Sequence, residues 1–194
     1  MGFLDGLLGT KGKLKGAAPD RLFAMTTANV TLETGLSLKS KQCAGVVFQP
    51  IATADFRQIV AETEELLKGT AEETGTKVET HDDEFSYRWM VLRDDELEDL
   101  AVGINAVSDA LAINGYKDRV LCAVFAFKDS AGKPLYFIYN YKRGSWYPFV
   151  PDTDPTHPKQ RSTERELQVK AIIGKELPIE PDLERWFPLW GIPI

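Results

Sequence analysis

The clearest pattern in the sequence is an apolar stripe between Asp94 and Gly115. Its apolar positions recur at spacings of three and four, as on one face of a helix, and are Leu97, Leu100, Ile104, Val107 and Leu111. Acidic residues at Asp94 and Asp95 suit a helix start, and Asn114-Gly115 suits a helix end. The pattern therefore predicts a helix over this segment.

Three other segments carry helical signals. Residues 20–38 contain apolar positions at helical spacing, although several threonines weaken the pattern. Thr53 can cap a second helix that ends before Gly69, with one apolar face made of Phe56, Ile59, Val60, Thr63, Leu66 and Leu67. Residues 162–173 form a third, in which Thr163 and Glu166 have the spacing of a capping box.

Strand signals appear first in two segments. Residues 44–48 are a short apolar run closed by Pro50, which is typical of a buried strand. Residues 77–92 predict a hairpin that turns at Asp82-Asp83, with one face made of Phe85, Tyr87, Trp89 and Val91.

Three more strands follow the central helix. Residues 120–127, 135–141 and 146–150 are apolar or aromatic and are separated by glycine-containing turns. Pro148 lacks an amide donor, so the third of these strands should be short and lie at the edge of the sheet.

The order of these elements predicts an α+β fold. A mostly antiparallel sheet of five to six strands should carry helices packed on one face. We expect residues 1–19 to be a flexible N-terminal segment and residues 20–194 to form a single domain with a docked C-terminal tail. The prolines of that tail leave room for one short helical turn, at residues 182–186 with Pro181 in its first position.

Composition narrows the functional classes. The chain of 194 residues has a formal net charge of −6, which argues against a nucleic-acid binder. Its two cysteines, Cys43 and Cys122, lie in apolar runs and should be buried and reduced. No apolar stretch approaches the ~20 residues that cross a bilayer. We therefore expect a cytoplasmic protein.

Candidate catalytic or metal-binding patterns are weak. The chain has two histidines, His81 and His157, and neither lies in a nucleophile or zinc pattern. Asp152, Asp154 and His157 could bind a divalent ion from one loop, but Asp-Pro sequences favour turns regardless of metal. We expect no catalytic, cofactor or metal site.

Aromatic residues are the one local excess. The candidate interaction surface consists of Tyr139, Tyr141, Trp146, Trp186 and Trp190. The apolar tail that carries the last two either docks on its own domain or binds a partner. An alternative function is a small-ligand sensor or an enzyme, with a pocket between sheet and helices lined by Tyr139, Tyr141 and Trp146.

The N-terminus offers a possible contact with a membrane surface. Phe3, Leu4, Leu7 and Leu8 would share one helical face, and Lys11, Lys13 and Lys15 follow them. Residues 1–15 therefore either touch a bilayer or pack as a frayed helix start on the domain.

The sequence also resembles a known family. The resemblance runs nearly end to end and is most specific in the tail ELPIEPDLERWFPLWGIP, residues 176–193, with two shorter matches at Met1-Gly2-Phe3-Leu4-Asp5 and Val46-Val47-Phe48-Gln49-Pro50. These segments resemble the PspA-associated protein PspAB family of actinobacteria. The resemblance implies a non-catalytic accessory protein of a PspA-type membrane stress response, near the membrane and with a PspA-like partner. The order of elements also looks like the type III secretion chaperone and YbjN-like fold.

Overall fold

The computed structural model describes residues 19–154, 156 and 159–194, and the predictions for the N-terminal segment, residues 1–18, lie outside this range. The helices in the described residues are α1 (Pro19–Leu36), α2 (Ala54–Thr74), α3 (Leu97–Ile113) and α4 (Thr163–Ile173). The strands are β1 (Lys39–Phe48), β2 (Lys77–Asp82), β3 (Arg88–Arg93), β4 (Val120–Lys128), β5 (Pro134–Asn140) and β6 (Ser145–Phe149). Short 3-10 turns lie at Lys117–Arg119 and Leu183–Arg185. Among the described residues, no helix is long and apolar enough to cross a membrane.

The six strands form one open antiparallel sheet in the order β2-β3-β1-β4-β5-β6. Strand β1 is central and joins the β2–β3 hairpin to the β4–β5–β6 meander. The α+β prediction, including the number of strands, is confirmed. Strand β6 lies at the edge, where the missing amide of Pro148 is tolerated.

The four helices pack on one face of the sheet, called here the helix face. Helix α3 contacts both α1 and α2, and it also lies against β1 and β3. Gly103 makes this close approach possible, because a Cβ atom at that position would collide with the side chain of Leu92 on β3. The sequence pattern identified α3 but gave no reason for a glycine within it.

Several element boundaries differ from the sequence predictions. Strand β1 begins at Lys39 rather than at residue 44. A β-bulge with Gln42 at φ 58° allows the polar residues before the bulge to pair with β4 as well. Helix α2 continues past Gly69 to Thr74, because a glycine weakens a helix interior without ending it. Ser162, rather than Thr163, caps α4, and its side chain accepts a hydrogen bond from the Arg165 amide.

Candidate functional site: the tail-covered face of the sheet

The second face of the sheet is apolar and carries the C-terminal tail, so we call it the tail face. Cys43 and Cys122 are buried free thiols on this face, as expected from their apolar surroundings. Trp186, Leu189 and Ile194 of the tail are buried in the same cluster. The sheet is thus covered by helices on one side and by an irregular, proline-rich segment on the other.

The tail first pairs with the edge of the sheet. Trp146 in β6 and Ile179 form a parallel bridge, in which the Trp146 amide donates to Pro178 O at 2.9 Å. The Glu180 amide donates to Trp146 O at 2.8 Å. These bonds satisfy backbone groups on the outer side of β6 that would otherwise be open to another strand.

Trp186 anchors the middle of the tail. Its side chain is 4% exposed and its ring is stacked on Tyr147 with centroids 6.4 Å apart. Its indole Nε1 donates to Glu180 O at 3.0 Å, and the Lys170 ammonium lies 5.5 Å from its ring centroid. Hydrogen bonding, stacking and a cation–π contact therefore act on one side chain.

The last residues of the tail follow β5 and β6. Trp190 packs edge-on against Phe149, with ring centroids 5.1 Å apart. The Tyr147 hydroxyl donates to Phe187 O and the Tyr136 hydroxyl donates to Ile194 O, each at 3.1 Å. Tyrosine hydroxyls of the sheet thus donate hydrogen bonds to backbone carbonyl groups of the tail, which is not part of a β-strand at these residues.

A buried ion pair joins α4, β6 and the tail. Arg161 Nε lies 2.9 Å from both carboxylate oxygens of Glu166, whose Oε1 also accepts the Val150 amide at 2.8 Å. Arg161 Nη1 donates to Trp186 O. Burial raises the pKa of Glu166, while Arg161 and the Val150 amide oppose that shift.

The sequence did not reveal this pair as part of a site. Its one signal was Glu166 itself, which the capping-box pattern assigned to the start of α4. A carboxylate that binds the Val150 amide from another element requires tertiary placement, which spacing along one helix cannot show.

The predicted interaction surface is divided between the two faces. Tyr139, Tyr141 and Trp146 lie together on the helix face, where they are 1%, 7% and 0% exposed. Trp146 Nε1 donates to Arg21 O in α1 at 2.8 Å. Trp186 and Trp190 lie on the tail face. Trp186 is buried in this arrangement, so a partner could use it only after the tail had moved, whereas Trp190 is half-buried.

The rings predicted to line a pocket between sheet and helices, Tyr139, Tyr141 and Trp146, are buried in the helix-face core. A cavity lies at a different place. A cavity of about 490 Å³ opens between the β4–β5 turn and the loop that joins β6 to α4. Its lining includes Leu38, Leu135 and Val150 with the cations Lys133, Arg161 and Arg165.

The acidic residues of the β2–β3 turn and of the loop between β6 and α4 have structural partners. Asp82 makes a two-pronged ion pair with Arg88, and Asp83 accepts the Trp89 indole N–H at 3.1 Å. Asp154 accepts the Thr156 amide and hydroxyl, which lower its pKa. His157 lies outside the described residues. In the part of the chain that is described, no group of three or more His, Cys, Asp or Glu side chains could hold a metal.

Comparisons with known proteins identify a family and nothing closer. A family model described as PspA associated protein B matches residues 1–194. No curated protein and no solved structure matches the chain. The likeness to the YbjN-like fold therefore stays a prediction.

Proposed function

Since the chain belongs to the PspA associated protein B family, we propose that it is a non-catalytic accessory protein that binds a PspA-type partner in a membrane stress response. The family match over the whole chain carries this proposal. The link to PspA systems comes from that family, and direct contact with the partner is the proposed step.

The buried positions of Trp146 and Trp186 support contact through another surface. While the tail is docked, Trp186 is buried and cannot contact a partner. Binding of a partner to Trp186 would first require the loss of its contacts with Tyr147 and Glu180. Exposed side chains can contact a partner without the loss of any contact inside the domain. The proposed interface therefore uses residues that are exposed while the domain is fully packed.

The outer side of α3 supplies such residues. Val102 and Ile113 are 51% and 84% exposed, and their separation of eleven positions corresponds to about three helical turns, so they lie along one line. Leu66 on α2 and Val30 on α1 are also exposed, 64% and 65% respectively. Because α3 contacts both neighbouring helices, we assign the partner surface to the outside of this helix layer.

Capture of the PspA-type protein from native lysate tests the proposal. We expect wild type to recover it and a Val102→Gln, Ile113→Gln variant to lose it, since glutamine keeps helix propensity while removing apolar surface. Leu183→Gln, which changes a 44%-exposed residue on the tail, is the matched control and should behave as wild type. Loss of capture by Trp190→Ala alone would instead place the interface on the tail. No recovery by wild type would contradict the proposal.

A second function, binding of a small polar ligand, is favoured by the cavity beside β5. Its lining carries the cations Lys133, Arg161 and Arg165 together with the carboxylates Asp129 and Asp152, and Leu38 and Val150 supply an apolar wall. Arg161 is committed to Glu166, so Arg165 and Lys133 would be the residues that discriminate ligands.

Thermal shift against a panel of carboxylates and phosphates tests this alternative. A ligand that binds only the folded state raises its melting temperature, and Arg165→Gln should remove that increase. Arg57→Gln on exposed α2 is the charge-matched control. If both variants retain the ligand-induced increase in melting temperature, the cavity is not the binding site.

A further inference from the structure

One end of the tail face collects cations from four different strands. Cross-strand partners share a face, so the register places Lys77 of β2 and Arg93 of β3 beside Cys43 on the tail face. Lys39 of β1 is directly opposite Lys128 of β4 at the same end. Lys128 follows Val124 and Ala126 in alternation, which places this second pair on the tail face as well.

Lys41 completes the group. The β1 bulge lies at Gln42, and the charge of Lys41 together with that of Arg93 acts on the Cys43 thiol. We call Lys39, Lys41, Lys77, Arg93 and Lys128 the basic end. All four lysines are exposed, and the Arg93 side chain is 43% exposed.

Two carboxylates lie on the same face as the basic end among the described residues. Glu79 lies 3.8 Å from Arg93, and the C-terminal residue Ile194 accepts the Tyr136 hydroxyl in the tail-face cluster. Asp94, which follows β3, is buried and accepts the Thr76 hydroxyl and the Glu96 amide. Asp129 accepts the backbone amides of Ala131 and Lys133 in the β4–β5 turn. Bonds from neutral amide and hydroxyl donors leave the charges of Asp94 and Asp129 in place. The five cations of the basic end still outnumber the carboxylates on the tail face, in a chain whose net charge is −6.

The Lys39–Lys128 pair carries a cost in stability. Side chains directly opposite in an antiparallel pair have Cβ atoms about 5 Å apart, and like charges at this spacing are destabilising. An opposite charge or a neutral residue at either position would remove the repulsion. A binding partner that supplies negative charge would offset it.

The spacing of the cations fits an anionic surface better than a single small anion. From β2 to β4 the group spans three strand spacings, about 14 Å, so its ammonium groups cannot converge on one phosphate. Lysine tips on an open sheet end can reach separate phosphates in one plane.

From these observations we infer that the basic end is a docking surface for an anionic lipid bilayer. Electrostatic attraction to phosphate headgroups is the binding force, and each cation at a charged membrane surface contributes about fivefold in affinity. This inference goes beyond the proposed function, because it concerns the purified chain and requires no PspA-type protein.

Vesicle flotation with the full chain tests the inference. Wild type should float with phosphatidylcholine vesicles that contain phosphatidylglycerol, and should not float with phosphatidylcholine alone. Lys39→Gln with Lys128→Gln should weaken the association about 25-fold at low salt, and high salt should release wild type. The control variant is Lys117→Gln with Lys175→Gln, which removes the same charge from exposed positions elsewhere and keeps the same N-terminal segment.

The outcomes separate the alternatives. Loss of flotation by the first variant and its retention by the control support the docking surface. Equal flotation of the two variants, or equal flotation of wild type with and without phosphatidylglycerol, overturns it. Binding to a soluble polyanion such as heparin without binding to vesicles also overturns it, since the partner would then be a polyelectrolyte.

Discussion

Replacement of Trp186 by alanine tests whether the tail is a structural part of the domain. A buried tryptophan side chain covers roughly 150–250 Å², which at about 25 cal/mol per Å² is worth about 4–6 kcal/mol. The indole hydrogen bond to Glu180 O would be lost as well. Since large-to-small core substitutions of this type cost about 3–5 kcal/mol, we expect a loss near 4 kcal/mol in the free energy of unfolding.

The assay is urea unfolding followed by circular dichroism, which does not depend on tryptophan emission. Leu183→Ala is the matched control, because this residue lies in the 3-10 turn that Trp186 caps but is 44% exposed. It should change stability by about 0.5 kcal/mol or less. If the two variants behave alike, the tail is not packed on the sheet.

Local detachment of the tail would give a different result from global unfolding. The measured loss in the free energy of unfolding could then be no larger than the free energy with which the tail docks on the sheet. Hydrogen exchange would detect this case, because the Glu180 amide that donates to Trp146 O would lose protection while the central strands kept theirs.

Three further predictions concern the rest of the domain. Gly103→Ala should lower the free energy of unfolding, measured in urea, by about 1–3 kcal/mol, because the added methyl group pushes α3 away from β3. Gly69→Ala has open space around the added methyl group and should raise it by about 0.5–1 kcal/mol. The raised pKa of Glu166 means that the folded state holds this proton more tightly, so stability should fall as the pH rises from about 4.5 through the folded-state pKa, and Glu166→Gln should remove that slope in a pH series. Lys128→Gln should raise the melting temperature, with a gain of about 0.2–1 kcal/mol, by ending its repulsion of Lys39, and an unchanged value would show that the two ammonium groups do not interact.

Local patterns identified the secondary structure well. The stripe from Leu97 to Leu111 located α3, and the apolar run beginning at Val120 located β4, because both follow from periodicity within one segment. Pro148 correctly placed β6 at an edge, since a missing amide donor excludes a central strand.

Features that depend on contacts between distant segments could not be predicted from the sequence. The position of β1 between β3 and β4 is a long-range pairing, and alternation within β1 does not select its neighbours. The aromatic excess was visible, but burial of Trp146 under α1 depends on the helix that covers it. The basic end was hidden for the same reason, because Lys39 and Lys128 are far apart in sequence and meet only through strand register.

The central claim is that this family member binds a PspA-type protein directly. The most direct test is isothermal titration of the purified chain with the purified PspA-type protein of the same organism. We expect saturable binding that Val102→Gln with Ile113→Gln abolishes and Leu183→Gln preserves. Absence of binding by the folded wild-type chain would contradict the claim.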